Sequence, residues 1–356
     1  MKKHIMVVAL SALCLFAFTG CGNKTSDGKT ESENSQGTES AKNGEDVKAE
    51  VTLEFGHIQN PGHALAVAPE EFKAMVEEKS GGRVAVNIYP SSQLGSAREM
   101  MEQVTMGTLD MTCCDTADWA AALNIPELAV FNMPFLTKDL KTQAELIRTI
   151  VSEEVPKMLE GSGVHLLMTY SNGIRQPLLK TKPIVCLEDI KGLKMRTAET
   201  PLYVNLWNCL GASTVTSAWS EAYTLLQQGV ADAVEADVTG LVNQNLQEQG
   251  KYLSKIGHLG AIYCVFINEE KWNSIPEDLQ KIISECALES QEKQLAGRQE
   301  SDDAAEKTMA EAGVEINEIS PEERKKMKEA CQPIYDEYEQ NYNLGELIEQ
   351  MLSLNN

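Results

Sequence analysis

The sequence is poor in the residues from which most catalytic and metal centres are built. Its 356 residues include five histidines, and these do not cluster. No HExxH, GxSxG or Cys-x-x-Cys spacing occurs, so zinc-hydrolase, serine-hydrolase and dithiol chemistry lack their signatures. Positive charge is also scarce: 31 Lys and Arg stand against 53 Asp and Glu, a net charge of −22. A surface this acidic argues against nucleic acid and against adhesion to anionic lipid. An anionic ligand must therefore be held by local positive groups against the field of the whole protein. Long apolar runs are missing too. The one at Ile5–Phe18 is too short to span a bilayer comfortably.

That run has the flanks of a signal peptide. Lys2 and Lys3 precede it and Thr19-Gly20-Cys21 follows it. The Phe-Thr-Gly-Cys ending resembles a bacterial lipobox, with Phe18 in place of the usual Leu. A lipobox implies cleavage before Cys21, lipid on that cysteine, and a protein anchored at the extracytoplasmic face of the cell membrane. An ordinary cleaved signal or an uncleaved anchor is the competing reading. Gly22–Glu50 has Val47 as its only large aliphatic residue and cannot bury enough apolar surface to order itself. As a flexible coil it would reach roughly 30 Å. The expected organisation is a signal peptide over 1–20, a lipidated tether over 21–50 and a folded unit from Val51 onward. The cysteines beyond Cys21 are Cys113, Cys114, Cys186, Cys209, Cys264, Cys286 and Cys331. They are odd in number and mostly in apolar context, which favours buried thiols over disulfides.

The folded unit alternates strand and helix. Val51–Gly56, Val84–Tyr89 and Leu109–Cys114 read as strands. Between them lie helices, one near Ala68–Lys79 and one over Ala97–Met106. The first helix is expected to begin near Ala68, because Pro69 fits only a first turn. A helix bent near Pro156 follows over 138–160, and then a strand over Val164–Tyr170. The alternation resumes with strand Leu193–Thr197, helix Pro201–Cys209, a strand near Thr214, helix Ala218–Gln228 and strand Ala231–Glu235. Two βα halves predict an α/β protein of two lobes, mainly parallel sheets flanked by helices, with ligand in the crevice at the strand carboxyl ends. From Pro276 to Ala312 no further Pro occurs and Gly297 is the only Gly. That stretch reads as one helix of about 35 residues, near 50 Å long, or as two helices broken around Gly297.

Ordered segments then carry a family resemblance. FGHIQNPGH, EEKSGGRVAVNIYPSSQLGSAREMMEQVTMGTLDMT, FNMPFL, SNGIRQP, LEDIKGLKMRT, GASTVTSAWSEAYTLLQQGVADAVEAD and IPEDLQKII occur in that order over about 52–340. Together they resemble the solute-binding protein of a TRAP (tripartite ATP-independent periplasmic) transporter of the DctP type. The resemblance implies two α/β lobes joined by crossing strands and a long helix, closing on an organic acid. It implies delivery to a TRAP membrane permease driven by an ion gradient, with no cofactor, no metal and no catalysis. We divide the unit accordingly into 51–172 plus 261–300 for the first lobe and 173–260 plus 301–354 for the second, and expect a monomer.

Site residues follow from the matching motifs. Arg196, on a strand whose alternation sets it beside Lys194, matches the family's carboxylate-binding Arg, and its planar fork suits that role. Arg175, with Asn172 in the same segment, is expected at the cleft where the chain crosses between lobes. Asp115 ends a strand and matches a family acid that binds ligand hydroxyl or amino groups, with a helix cap as its alternative. His57 and Gln59, and less directly His63, offer hydrogen bonds from the first lobe. Trp219 stands where the family usually has Phe, and Tyr223 reads as core. After Asp232 the chain departs from the family's Gly-Gln-Glu-Asn-Pro: Glu235 is kept, Ala236 replaces the Asn, and Asp237 is a new acid. Acids near the cleft favour a hydroxyl-rich ligand, hence a uronate or aldonate over a C4-dicarboxylate. The bland reading of Asp237 is a helix cap facing solvent. Two rivals share the compartment. One is the binding protein of an ATP-driven importer, and the other is a secreted enzyme acting on uronic glycans, for which Cys113-Cys114 lacks any partnering His–Asp motif.

Overall fold

The computed structural model describes residues 48–355. The signal peptide 1–20, the lipidation site Cys21 and the tether up to residue 47 lie outside the described residues. No helix among the described residues is long and apolar enough to cross a membrane.

The chain opens with β1 (Val51–Gly56), α1 (Ala64–Lys79), β2 (Val84–Tyr89), α2 (Ala97–Thr105) and β3 (Met111–Asp115). β1 pairs in parallel with both β2 and β3. Ser96 and Glu99 close α2 with a reciprocal capping box. α1 begins at Ala64, a turn earlier than expected, because the His63 side chain caps it by accepting from the Leu65 N–H. Pro69 then falls in the second turn and forfeits its own helical bond. It is buried beside Ala68, whose carbonyl accepts from the Ser290 hydroxyl of a later helix. Next come α3 (Thr116–Leu123), α4 (Leu140–Leu146) and α5 (Ser152–Met158). The helix expected over 138–160 is instead split by a π turn at Ile147–Val151. Pro156 offers no N–H to the carbonyl one turn earlier, and the widened turn lies just upstream of that gap.

β4 (Val164–Leu179) does not stop at Tyr170 as the sequence suggests. Beyond it lie β5 (Lys194–Thr197), α6 (Pro201–Cys209), β6 (Ser213–Thr216), α7 (Ala222–Gln227), β7 (Ala233–Ala236), α8 (Val238–Asn243), β8 (Tyr252–Lys255) and β9 (Leu259–Asn268). The helix expected from Ala218 starts as a 3-10 turn, Trp219–Glu221, ahead of α7. The chain closes with α9 (Glu269–Ser274), α10 (Glu277–Glu311), β10 (Glu315–Glu318), α11 (Pro321–Ala330), α12 (Gln332–Tyr342) and α13 (Gly345–Ser353).

The strands run in the order β2-β1-β3-β9-β4-β7-β5-β6. The two ends of this path are parallel. They are the sheets of two lobes, and antiparallel β9 and β4 join them. β9 was not anticipated: it is buried along its whole length, so it shows no alternation to read. Bulges in β4 at Leu166/Met168 and Ser171/Ile174 take backbone groups out of the ladder. Between the two bulges, side chains of α10 take up further backbone groups of β4. Gln291 accepts from the Thr169 N–H, and Gln294 both accepts from the Ser171 N–H and donates to the Ser171 carbonyl. α10 is one unbroken helix of 35 residues that packs on α1, β4 and α8. The last helices reach back to the first half of the chain, where Tyr335 donates to the Pro134 carbonyl and Asn355 to that of Leu136. The seven described cysteines are free thiols, five of them buried.

Candidate functional site

A cavity of about 520 Å³ opens at the carboxyl ends of the strands, with walls from both lobes. Arg175, Arg196, Asn172, Gln59, Trp219 and Asp237 line it. So do Asp118, Glu199, Tyr203 and Ser217, which sequence reasoning missed. His57, Asp115 and Glu235 do not line it.

The two cavity arginines differ in their partners. Arg196 is 1% exposed. Its Nε donates to the Ser217 hydroxyl at 3.1 Å and its Nη2 to the Ser217 carbonyl. It forms no ion pair among the described residues, and burial pulls its pKa down to about 10. The Trp219 ring lies under the guanidinium, 5.4 Å from its centroid. Arg175 is also buried but is neutralised. Its Nε donates to Glu235 Oε2 at 2.6 Å and its Nη2 to Oε1 at 3.0 Å. Glu235 further accepts from Thr197, and His258 Nε2 lies 3.1 Å from it. Burial pushes the Glu235 carboxyl up, but Arg175 and His258 outweigh burial and bring it down to about 2. Glu235 is thus a counter-ion behind the wall, and Ala236 holds the wall position beside it.

Asp115 is placed as the capping alternative describes. It caps α3 through the Ala117 N–H, and it accepts from the Asn132 amide and from the Tyr203 hydroxyl. Burial and the nearby Asp118 push its pKa up to about 7. Asp118, one turn further along α3, takes the cavity position and accepts from the Thr200 hydroxyl. Burial raises its pKa too, against the opposing pull of Thr200 and the two guanidiniums. An Asp three residues after a capping Asp lies near it on the helix, so this signal was present in the sequence.

Asn172 presents a buried Oδ1 with no hydrogen-bond partner among the described residues. His57 points elsewhere. It is buried beside a separate cavity of about 360 Å³, and neither ring nitrogen has a hydrogen-bond partner among the described residues. Burial, with His63 nearby, lowers its pKa to about 4. Asp237 caps α8 as the bland reading supposes but does not face solvent: it is 3% exposed and paired with Arg298. Arg298 was not singled out, because nothing in its local sequence marks it.

A family model described as "Bacterial extracellular solute-binding protein, family 7" (DctP) matches residues 55–341. The chain belongs to this family. The solute-binding protein is 28% identical over 290 residues to the C4-dicarboxylate-binding periplasmic protein DctP of Rhodobacter capsulatus, across 81% of this chain and 86% of that one. A TRAP periplasmic solute-binding protein of Desulfovibrio salexigens, solved with bound orotic acid, superposes with a TM-score of 0.79 at 28% identity, covering 85% of this chain and 98% of that one. A second, from Chromohalobacter salexigens with bound D-glucuronate, gives a TM-score of 0.80 at 25% identity over 85% and 99%. As a TRAP solute-binding protein it is an extracytoplasmic transport component with a two-lobed α/β fold.

Proposed function

We propose that this protein captures a sugar acid between its lobes, with the ligand carboxylate in a two-pronged contact on Arg196. One observation carries this reading: Arg196 is a buried guanidinium whose only partners among the described residues are neutral. A buried charge without a counter-ion costs several kcal/mol, and a carboxylate matches the fork in geometry and sign. The rest of the wall favours hydroxyls. Asn172 offers an unpartnered acceptor, and Asp118 and Glu199 add carboxylates. Arg175 is already neutralised by Glu235, so a second ligand carboxylate has no comparable partner. The preference for a sugar acid therefore rests on Asp118 and Glu199. Of the acids singled out in the sequence, Glu235 is consumed by Arg175, and Asp237 is paired with Arg298 through one of its two oxygens.

Delivery to a TRAP permease, driven by an ion gradient, completes the reading, with the protein acting as a monomer tethered by lipid on Cys21. Intact mass of membrane-extracted protein tests the anchor: an uncleaved, unmodified N-terminus overturns it. Titration calorimetry with D-glucuronate, D-galacturonate, succinate and D-glucose tests the ligand. Both uronates are expected to bind and glucose is not. Glucose binding as tightly as glucuronate would remove the carboxylate contact, and succinate binding more tightly than either uronate would replace the sugar acid with a dicarboxylate.

A further inference from the structure

Asp237 sits on the cavity wall, and one of its two carboxylate oxygens is occupied. Its Oδ2 accepts from the Gly240 N–H at 3.0 Å, from the Thr239 hydroxyl and from Arg298 Nη2 at 2.9 Å, and His63 Nε2 lies 3.3 Å away. These partners come from three places. Thr239 and Gly240 belong to α8, which follows β7 of the second lobe. Arg298 belongs to α10. His63 belongs to the turn before α1 of the first lobe. The His63 ring is oriented by its other nitrogen: Nδ1 accepts from the Leu65 N–H, so the ring hydrogen is on Nε2, which lies 3.3 Å from both the Thr239 hydroxyl and the Asp237 carboxylate. A second tie lies one turn along α8, where the Asn243 amide donates to the Pro61 carbonyl at 3.2 Å. The crossing strand makes room for the third partner. Gly173, in the β4 bulge, has φ +72°, and a Cβ there would meet Arg298 Nη2 at 2.4 Å.

We propose that Asp237 of the second lobe is a positioning residue, a latch that Arg298 of the long helix α10 orients and that His63 of the first lobe engages when the lobes close. It acts on ligand affinity through closure and not by touching the ligand. The inference rests on the solute-binding reading, and it assigns a role to Oδ2 of an acid on the cavity wall, the oxygen on which all of its recorded partners converge. Arg298 is required because it is 1% exposed and has Asp237 and Asp302 as its only partners among the described residues. Without that guanidinium the buried Asp237 carboxylate would be far costlier to bring against the opposite lobe.

Two variants isolate the latch because each preserves its helix cap. Asn is a good N-cap, so His63→Asn keeps the start of α1 but is too short to reach Asp237, and Asp237→Asn keeps the cap on α8 but loses the charge. The ligand-free readout is amide exchange. His63→Asn is expected to speed exchange over 238–243, an element to which His63 does not belong. Unchanged exchange there overturns the latch whether or not any acid binds. The ligand readout is the rate of D-glucuronate release, expected to rise about ten- to a hundred-fold in both variants while association changes little. If Asp237→Asn alters the preference between glucuronate and galacturonate while His63→Asn leaves release within twofold of the parent, Asp237 is a ligand contact and the latch is rejected. If the parent binds neither uronate, the ligand reading fails while the exchange result still decides the latch.

Discussion

Arg175 and Arg196 lie on strands that flank β7 on either side, and both guanidiniums reach one cavity. Between them stands a single buried carboxylate, Glu235, and only Arg175 is bonded to it. Equal burial thus produces opposite roles. The paired arginine has no unmet charge and serves as a strut between β4 and β7. The unpaired one keeps a charge with no bonded counter-ion among the described residues. Two equally buried charges in one cavity are told apart by their partners: the matched one is committed to the fold, and the unmatched one is the group left for a ligand carboxylate under the reading proposed above.

The strongest way to break this comparison is to remove the shared acid. Glu235→Gln leaves Arg175 buried without a counter-ion, and we expect a loss of about 3–5 kcal/mol in unfolding free energy, read by chemical denaturation. A loss below 1 kcal/mol would mean that the pair is not a strut and that the two arginines are closer in role than their partners suggest. Arg196→Lys attacks the other side. The charge stays, the fork is lost, and binding of the cognate acid should weaken by about 1.5–3 kcal/mol, roughly ten- to over a hundred-fold, with folding little changed. Calorimetry decides, and a change below threefold removes Arg196 from the centre of the site.

His57 sharpens the contrast from outside this cavity, as a buried ring whose nitrogens have no hydrogen-bond partner among the described residues. Its pKa falls from 6.5 in the unfolded chain to about 4 in the folded one. Below pH 6.5 the unfolded chain binds a proton that the folded chain refuses until about pH 4. The stability is therefore complete above 6.5 and is lost as pH falls through that window. His57→Leu should flatten the fall between pH 7 and pH 5 by about 2 kcal/mol relative to the parent, measured by denaturation at both pH values. An identical slope in both proteins would mean that the ring finds a partner. The smallest effect expected is for Trp219→Leu. It removes the ring under Arg196 and should weaken ligand binding by about 0.5–1 kcal/mol. A loss as large as that of Arg196→Lys would make the ring a main ligand contact.

Much of the fold was legible because it is written in local patterns. β1, β2, β5, α6 and the long α10 appear close to where alternation, turn residues and caps put them. β9 was not legible, since a strand buried on both faces has no period to detect. The start of α1 was misread because Pro69 was judged by helix geometry alone, while packing beside Ala68 and Ser290 outweighs the bond it forfeits. In the site, Arg196, Arg175, Asn172, Gln59, Trp219 and Asp237 all reach the cavity wall, as motif and strand order suggested. Asp115, His57 and Glu235 do not, and Asp118 stands where Asp115 was expected.

By itself the sequence determined which elements form, that they make two βα halves, and which side chains carry the charge and hydrogen-bonding capacity of the cleft. These are properties of neighbours along the chain: a capping residue, an alternation, a motif. Only the tertiary structure decided how those charges are spent. Glu235 meets an arginine sixty positions away, and Asp237 meets one sixty-one positions on and a histidine in the opposite lobe. Whether a buried group is free for a ligand depends on its neighbours in space, because the cost of burial is cancelled or left standing by groups that the fold alone brings within bonding distance.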